Sequence, residues 1–180
     1  MRLLLRRAEW SDCLRLRRLY LTAFPAEERA PFWMLWHRRS RETVDFWSIY
    51  ADGTWAGELY IVHDVKLSYI FYFAVDDCQR GRGIGSLTLL ALRRMYPDHR
   101  ICLAIEQLDP DALNYAERVR RKRFYERCGY VDLHSKVQEG SVVYLLLGTG
   151  GAVQAEEYAH LMQRYMGEAA MRHVTVGMVE

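Results

Sequence analysis

The stretch AVDDCQRGRGIGS, near the middle of the chain, holds the residues whose spacing is best suited to chemistry. Three glycines alternate with other residues at Gly81, Gly83 and Gly85, and Arg80 and Arg82 lie among them. Apolar runs before and after the stretch predict a strand, a turn and the start of a helix. Glycine allows positive φ and a close approach to the main chain, and a helix N-terminus offers unpaired N–H groups. The pattern therefore predicts a main-chain site for a phosphate group.

Two common phosphate motifs fit this stretch poorly. A P-loop requires GxxxxGK[ST], and the loop has no such lysine. A dinucleotide-binding loop reads GxGxxG, whereas this loop reads GxGxG. Glu106 lies about twenty residues on, as a ribose-binding acid would, but the strands predicted before the loop do not suit a repeated βαβ array. A glycine-rich turn that binds nothing is a third alternative.

The elements around the loop predict a mixed sheet. Their order is strand, two helices, three strands, helix, strand, helix and two strands, and the Asp52-Gly53 pair indicates a hairpin. KLSYIFYFAV, directly before the loop, is typical of a central strand covered on both faces. We therefore predict an α/β (α+β) fold with a mostly antiparallel central sheet of about seven strands, one βαβ crossover and flanking helices.

Composition narrows the class of protein. The chain has 180 residues, of which 51% are hydrophobic, and this suits one globular domain. The net charge of +2 gives no argument for nucleic acid as a partner, and the apolar runs are too short to predict a membrane span. The four cysteines form no CxxC pair, so we expect no metal site, reduced thiols and a cytoplasmic location. The N-terminal apolar run is too short for a signal peptide.

Two motifs resemble one family. RGRGIG at 80–85 is similar to the R/Q-x-x-G-x-G/A signature of the GNAT N-acetyltransferase superfamily, and RFYERCGY at 123–130 resembles the family's YExxGF helix end. The predicted element order over residues 1–147 agrees with that family. The resemblance implies a GNAT-like fold with an acetyltransferase domain at 1–150. It leaves a C-terminal helical extension at 151–180, packed on the same domain or on a partner subunit.

The resemblance implies acetyl-CoA (coenzyme A) as the cofactor. In the family the pyrophosphate binds N–H groups of the glycine loop and of the helix start. By position, Val75 would bond the pantetheine arm, and the N–H of Phe73 would face the thioester carbonyl and stabilise its oxyanion. The implied cofactor-binding residues are Phe73, Ala74, Val75, Arg80, Gly81, Arg82, Gly83, Ile84, Gly85 and Ser86.

The family transfers acetyl directly in a ternary complex, which needs no nucleophilic cysteine. Tyr125 occupies the family's tyrosine position, from which it would protonate the leaving thiolate; the alternative is an aromatic core residue. Glu106, at the end of ICLAIE, is the predicted base; the alternative is an acid that pairs with an arginine of 118–123. In some relatives the base lies at the position of Tyr69, which is a poor base at neutral pH.

The resemblance implies an N-acetyltransferase that acts on a primary amine of a small molecule or protein. PAEERAPFW lies where the family often shapes its acceptor pocket, and Glu27 and Glu28 there would attract a cationic amine or belong to a first helical turn. Arg118 and Arg121 stand where the family often carries Asn and Ala. This departure leaves a non-catalytic acyl-CoA-binding sensor module as the alternative. The C-terminal helix also makes a homodimer possible.

Overall fold

A computed structural model of the protein describes residues 1–139, 142–167 and 174–177. The strands are β1 (Leu3–Arg7), β2 (Val44–Ala51), β3 (Thr54–Asp64), β4 (Leu67–Val75), β5 (Arg100–Glu106), β6 (Val131–Glu139), β7 (Val142–Thr149) and β8 (Val174–Gly177). The helices are α1 (Cys13–Ala23), α2 (Phe32–Arg38), α3 (Ile84–Met95), α4 (Tyr115–Arg127) and α5 (Ala155–Met166). The predicted mixed α/β fold is confirmed, with β4, α3 and β5 following one another as the predicted crossover.

The chain forms two compact units. The first comprises Met1–Val62 and Ile70–Pro97, and the second comprises His63–Tyr69 and Asp98–Glu180. These units do not correspond to the predicted division into an acetyltransferase domain at 1–150 and a C-terminal extension at 151–180. That division stays a prediction.

The first unit contains β1, β2 and most of β3 and β4, which neighbour one another in the order β1-β2-β3-β4. β2 pairs antiparallel with β1 and with β3, and in the second pairing Phe46 lies opposite Tyr60. The rings of these two residues are 5.1 Å apart, and the ring of Phe46 is 6.4 Å from that of Trp36 on α2. Nearly all of β2 and β3 is buried, because both faces of these strands are covered.

The second unit contains strands in the order β5-β7-β6-β8. Each pair is antiparallel, and β8 raises the number of strands to eight because Val176 pairs with Val137 of β6. The apolar stripe of α5 is buried within this unit, and its members are Tyr158, Leu161, Met162 and Tyr165. An ion pair of 2.6 Å between Arg100 on β5 and Glu157 on α5 fixes the start of that helix.

Candidate active site

The glycine loop, residues 80–86, follows β4 in the first unit and includes the first three residues of α3. A turn at Asp77–Gln79 precedes it, where the side chain of Asp76 accepts the N–H of Cys78 at 3.0 Å. Gly81 and Gly83 have φ of 76° and 78°, and no heavy atom lies within 4 Å of the place that a Cβ would take at either residue. Side chains disfavour this backbone region, so both positions call for glycine, and the space beside them is open to a ligand.

The start of α3 suits an anion. Gly83 is the N-cap of α3, and as a glycine it has no side chain to accept a hydrogen bond from the first turn. The first main-chain hydrogen bond of the helix runs from Leu87 N–H to Gly83 O at 3.1 Å. The N–H groups of Ile84 and Gly85 precede that bond, and an α-helix offers no internal partner to N–H groups at these positions. Together with the helix dipole and the open glycines, these N–H groups fit the diphosphate of coenzyme A.

The two loop arginines contact protein atoms of the first unit. Arg80 Nε donates to the carbonyl oxygen of Val75 at 3.2 Å, and its guanidinium pairs with Asp77 at 2.7 Å. The guanidinium of Arg82 lies 3.7 Å from the carboxylate of Asp52. Both arginines therefore brace the loop, and they add positive charge beside it while the main chain supplies the donors.

The end of β4 is held tightly against β3. A Cβ on Gly57 would lie 2.3 Å from the carbonyl oxygen of Ala74, and the N–H of Asp76 donates to Ala56 O at 2.9 Å. Only glycine permits this approach of the two main chains. Phe73 and Val75 lie on the same part of β4 and are partly exposed. Their predicted contacts with the pantetheine arm and the thioester stay predictions.

Glu106 ends β5 in the second unit, where it pairs with arginines. Its carboxylate lies 2.8 Å from Arg118 and 3.2 Å from Arg121, with the side-chain amide of Asn114 at 3.4 Å. Arg118 also donates to the carbonyl oxygen of Gln107 at 2.8 Å. The two arginines that depart from the family pattern thus anchor the start of α4 to the end of β5. The role of Glu106 as a base stays a prediction.

Tyr125, on α4 in the second unit, is 8% exposed. Its ring contacts Phe124 at 5.1 Å and Tyr130 at 5.9 Å between centroids. Burial raises the pKa of Tyr125 to about 12, although the nearby charge of Arg121 acts in the opposite direction. The phenol is therefore protonated at neutral pH and able to donate, which its predicted role requires.

The acceptor segment, defined as residues 25–31, follows α1 in the first unit. The hydroxyl of Tyr20 donates to Ala30 O at 2.9 Å, and the hydroxyl of Tyr72 donates to Glu28 O at 2.9 Å. Tyr72 also accepts the N–H of Ala30 at 3.0 Å. Three hydrogen bonds thus hold the segment to α1 and β4. The side chain of Glu27 lies outside the described residues.

Glu58 on β3 is a candidate functional residue that no sequence motif singled out. This residue is 1% exposed, and neither carboxylate oxygen has a hydrogen-bond partner among the described residues. Burial raises the pKa of Glu58 well above its usual value. The signal was present, because Glu58 is the only charged residue in the strand-like run TWAGELYIV.

The described part of the chain offers neither a metal site nor a membrane-spanning helix. No group of three or more His, Cys, Asp or Glu residues there is arranged to hold a metal ion. None of the helices in that part is long and apolar enough to cross a membrane.

The family model for an acetyltransferase (GNAT) domain matches residues 42–132, which include β2 to β5, the glycine loop and α4. The chain belongs to the GNAT acetyltransferase family. No curated protein matches the chain significantly. This GNAT protein is instead similar in fold to many solved structures.

Three of these structures illustrate the similarity. A putative GNAT-family acetyltransferase from Bacteroides thetaiotaomicron has a TM-score of 0.70 at 20% identity, and the match covers 100% of each chain. The ribosomal-protein-S18-alanine N-acetyltransferase from Escherichia coli has a TM-score of 0.63 at 14% identity, covering 86% of this chain and 97% of that one. Spermidine N-acetyltransferase from Vibrio cholerae, in complex with CoA and spermine, has a TM-score of 0.63 at 15% identity, covering 81% and 94%.

Proposed function

We propose that this GNAT protein is an N-acetyltransferase that moves an acetyl group from acetyl-CoA directly to a primary amine in a ternary complex. The observation that carries the proposal is the glycine loop. Gly81 and Gly83 leave open space beside an uncapped helix start, and this arrangement fits a diphosphate. Bound acetyl-CoA would supply the activated acetyl group, and the loop would fix the nucleotide end so that the thioester lies along β4.

The acceptor class is a primary amine of a small molecule or of a protein. Two solved structures of similar fold are named as a spermidine and a ribosomal-protein-alanine N-acetyltransferase, and both names describe amine acceptors. Their identities to this chain are low, so the choice between the two kinds of acceptor must come from experiment. The acceptor segment is the part of the chain where we expect that choice to be encoded.

The catalytic roles rest on chemistry that each residue can perform. Tyr125 carries a protonated phenol, so we propose that it donates a proton to the departing thiolate. Glu106 is the base that sequence predicts, but two guanidinium groups occupy its carboxylate. An acceptor amine would have to displace these guanidinium groups to reach the carboxylate, and charge-assisted hydrogen bonds are among the stronger ones in proteins.

The experiment that tests the function has two stages. Calorimetry of the purified protein with coenzyme A should show binding at one site, which Gly83→Ala weakens. Wild-type protein with acetyl-CoA and a panel of polyamines, aryl amines and peptides should then release free thiol only when an acceptor is present. Binding without thiol release across the panel would refute the enzyme assignment.

A non-catalytic acyl-CoA sensor is the second candidate, and the pairing of Glu106 with Arg118 and Arg121 favours it. Such a module would bind coenzyme A tightly and show no turnover. We also propose a cytoplasmic location, which fits the four free cysteines. A homodimer is proposed as well, and size-exclusion chromatography with light scattering tests it.

A further inference from the structure

Glu58 is a buried acid whose presence needs an explanation. Its side chain lies within β3 at 1% exposure, and its two carboxylate oxygens have no hydrogen-bond partner among the described residues. The other buried carboxylates of the first unit differ in this respect. Asp12 accepts hydrogen bonds from Arg6, Arg15 and Tyr50, and Asp45 accepts one from Tyr96. An unpartnered carboxyl in the interior is destabilising, so a chain that keeps one must gain something else from it.

The side chain of Glu58 lies on the sheet face that α1 and α2 cover. Ser48 is its direct cross-strand partner on β2. In the next pair along this face, Phe46 contacts Trp36 of α2. Tyr60 contacts Tyr72, which in turn packs against Tyr20 of α1. Ser48 is fully buried, and its hydroxyl also lacks a hydrogen-bond partner within the described residues. Two polar side chains are therefore buried side by side without partners.

Two neighbours link Glu58 to the candidate site. Gly57, the preceding residue, packs against the main chain of Ala74 and Val75, so Glu58 stands at the level where β4 is predicted to bind the thioester. On the other side is Tyr20: burial, Tyr72 and the charge of Glu58 all raise the pKa of Tyr20. The hydroxyl of Tyr20 donates to Ala30 of the acceptor segment, so the residue that feels the charge of Glu58 also holds that segment.

We propose that Glu58 accepts the proton that the acceptor amine loses before it attacks the acetyl group. This inference rests on the proposed N-acetyltransferase function, and it replaces Glu106 with an acid from the first unit. Glu58 is suited to the role because its oxygens are free of the ion pairs that occupy Glu106.

The step balances without a further reactant. The ammonium form of the acceptor gives one proton to the Glu58 carboxylate and becomes a neutral amine. Its nitrogen lone pair forms the bond to the acetyl carbonyl carbon, the carbon–sulfur bond breaks, and sulfur keeps that electron pair. The nitrogen loses a second proton as the amide forms, and the thiolate takes up one proton to become the free thiol. Glu58 then releases its proton to solvent, so one proton leaves for each acetyl group transferred.

Burial also affects the protonation of Glu58. Because burial raises the pKa of Glu58 well above that of an exposed glutamate, the carboxylate is a stronger base than a solvated one. α1 brings two charged or titratable groups to this face: Tyr20, whose pKa burial also raises, and Arg15, which is paired with Asp12 at 2.5 Å.

Steady-state kinetics of wild-type, Glu58→Gln and Glu58→Met protein test the proposal. We expect kcat to fall by about 100-fold or more in both variants, as for the loss of a general base. We expect the Kd for coenzyme A to stay within about threefold and the melting temperature to stay equal or to rise, because a buried acid is removed. The residual kcat of Glu58→Gln should rise about tenfold for each unit of pH below the pKa of the acceptor amine, because without the base only the amine that is already neutral reacts.

Asp45→Asn is the matched control. Asp45 is a buried acid on the opposite face of β2, where it is hydrogen-bonded to Tyr96 and paired with Arg7 at 2.5 Å. We expect Asp45→Asn to lower the melting temperature while kcat stays within about twofold of wild type, because a paired buried acid supports the fold alone.

Three results would overturn the assignment of Glu58 as the base. If the wild-type protein acetylates an amine and the kcat of Glu58→Gln lies within about threefold of the wild-type kcat, the inference is overturned and the proposed function stands. Wild-type protein that binds coenzyme A but acetylates no amine overturns both. Failure of both Glu58 variants to fold also overturns the inference, because it would show that Glu58 supports the fold.

Discussion

The substitution Gly83→Ala is expected to change two measurable quantities, the free energy of unfolding and the Kd for coenzyme A, for different reasons. Gly83 has φ of 78°, and a Cβ there meets no heavy atom within 4 Å, so no steric clash is added. The left-handed conformation destabilises the folded state of the alanine variant by about 1–2 kcal/mol. Alanine also lowers the conformational entropy of the unfolded chain, which offsets about 0.4–1 kcal/mol of that loss. The expected net loss in the free energy of unfolding is therefore about 1 kcal/mol, or about 3 °C in Tm for a chain of this size.

Gly53→Ala is the matched control because Gly53 has φ of 80° and is equally open, but it belongs to the turn between β2 and β3. Differential scanning calorimetry should show nearly equal losses for both variants. Titration calorimetry should show that only Gly83→Ala raises the Kd for coenzyme A by tenfold or more, which is a loss of about 1.4 kcal/mol in binding free energy. The reason is that the new Cβ fills space beside the helix start. Equal Kd values for wild type and Gly83→Ala would refute our reasoning about the glycine loop.

Three further results are expected. Gly57→Ala places a Cβ 2.3 Å from the Ala74 carbonyl oxygen and should cost about 2 kcal/mol or more of unfolding free energy; a melting temperature equal to wild type would contradict this close approach. Arg100 holds the pKa of Glu157 at about 2, so this pair stabilises the fold above the ordinary carboxyl pKa and loses that effect as pH falls towards 2. Glu157→Gln should therefore lower stability by about 1 kcal/mol or less at pH 7, and urea unfolding should show the difference vanishing in acid. Tyr125→Phe should lower kcat about 100-fold at unchanged Kd for coenzyme A and similar Tm, and an unchanged kcat would exclude a proton-donor role.

Much of the fold was predictable because local signals agreed with one another. The Asp52-Gly53 pair, with φ of 50° and 80°, marks a turn whose conformation depends on those two residues, and β2 and β3 follow on either side. Gly129, with φ of 84°, ends α4 as its position indicated. The apolar period of α5 predicted its buried stripe in the same way, because a helix presents every third or fourth residue to one side.

Pairings between distant residues were harder to predict. A cluster of arginines at 118–123 gives no sign of which acid it will meet, and the structure pairs two of them with Glu106. Arg80 and Arg82 are predicted to lie beside a phosphate, and that stays a prediction; their contacts with Asp77 and Asp52 had no signal in the sequence. Long charged side chains reach many partners, and only the packed main chain selects among them.

The amino-acid sequence by itself determined the glycine loop, the order of strands and helices, and the membership in the GNAT family. These features depend on residues close together in the chain, where conformational preference and spacing carry the information. Tertiary structure alone decided that Glu58 is buried with no hydrogen-bond partner among the described residues, and that Glu106 pairs with arginines. Burial and ion pairing arise from segments far apart in the chain, so the same residue type becomes a stronger base in one place and an anchor in another.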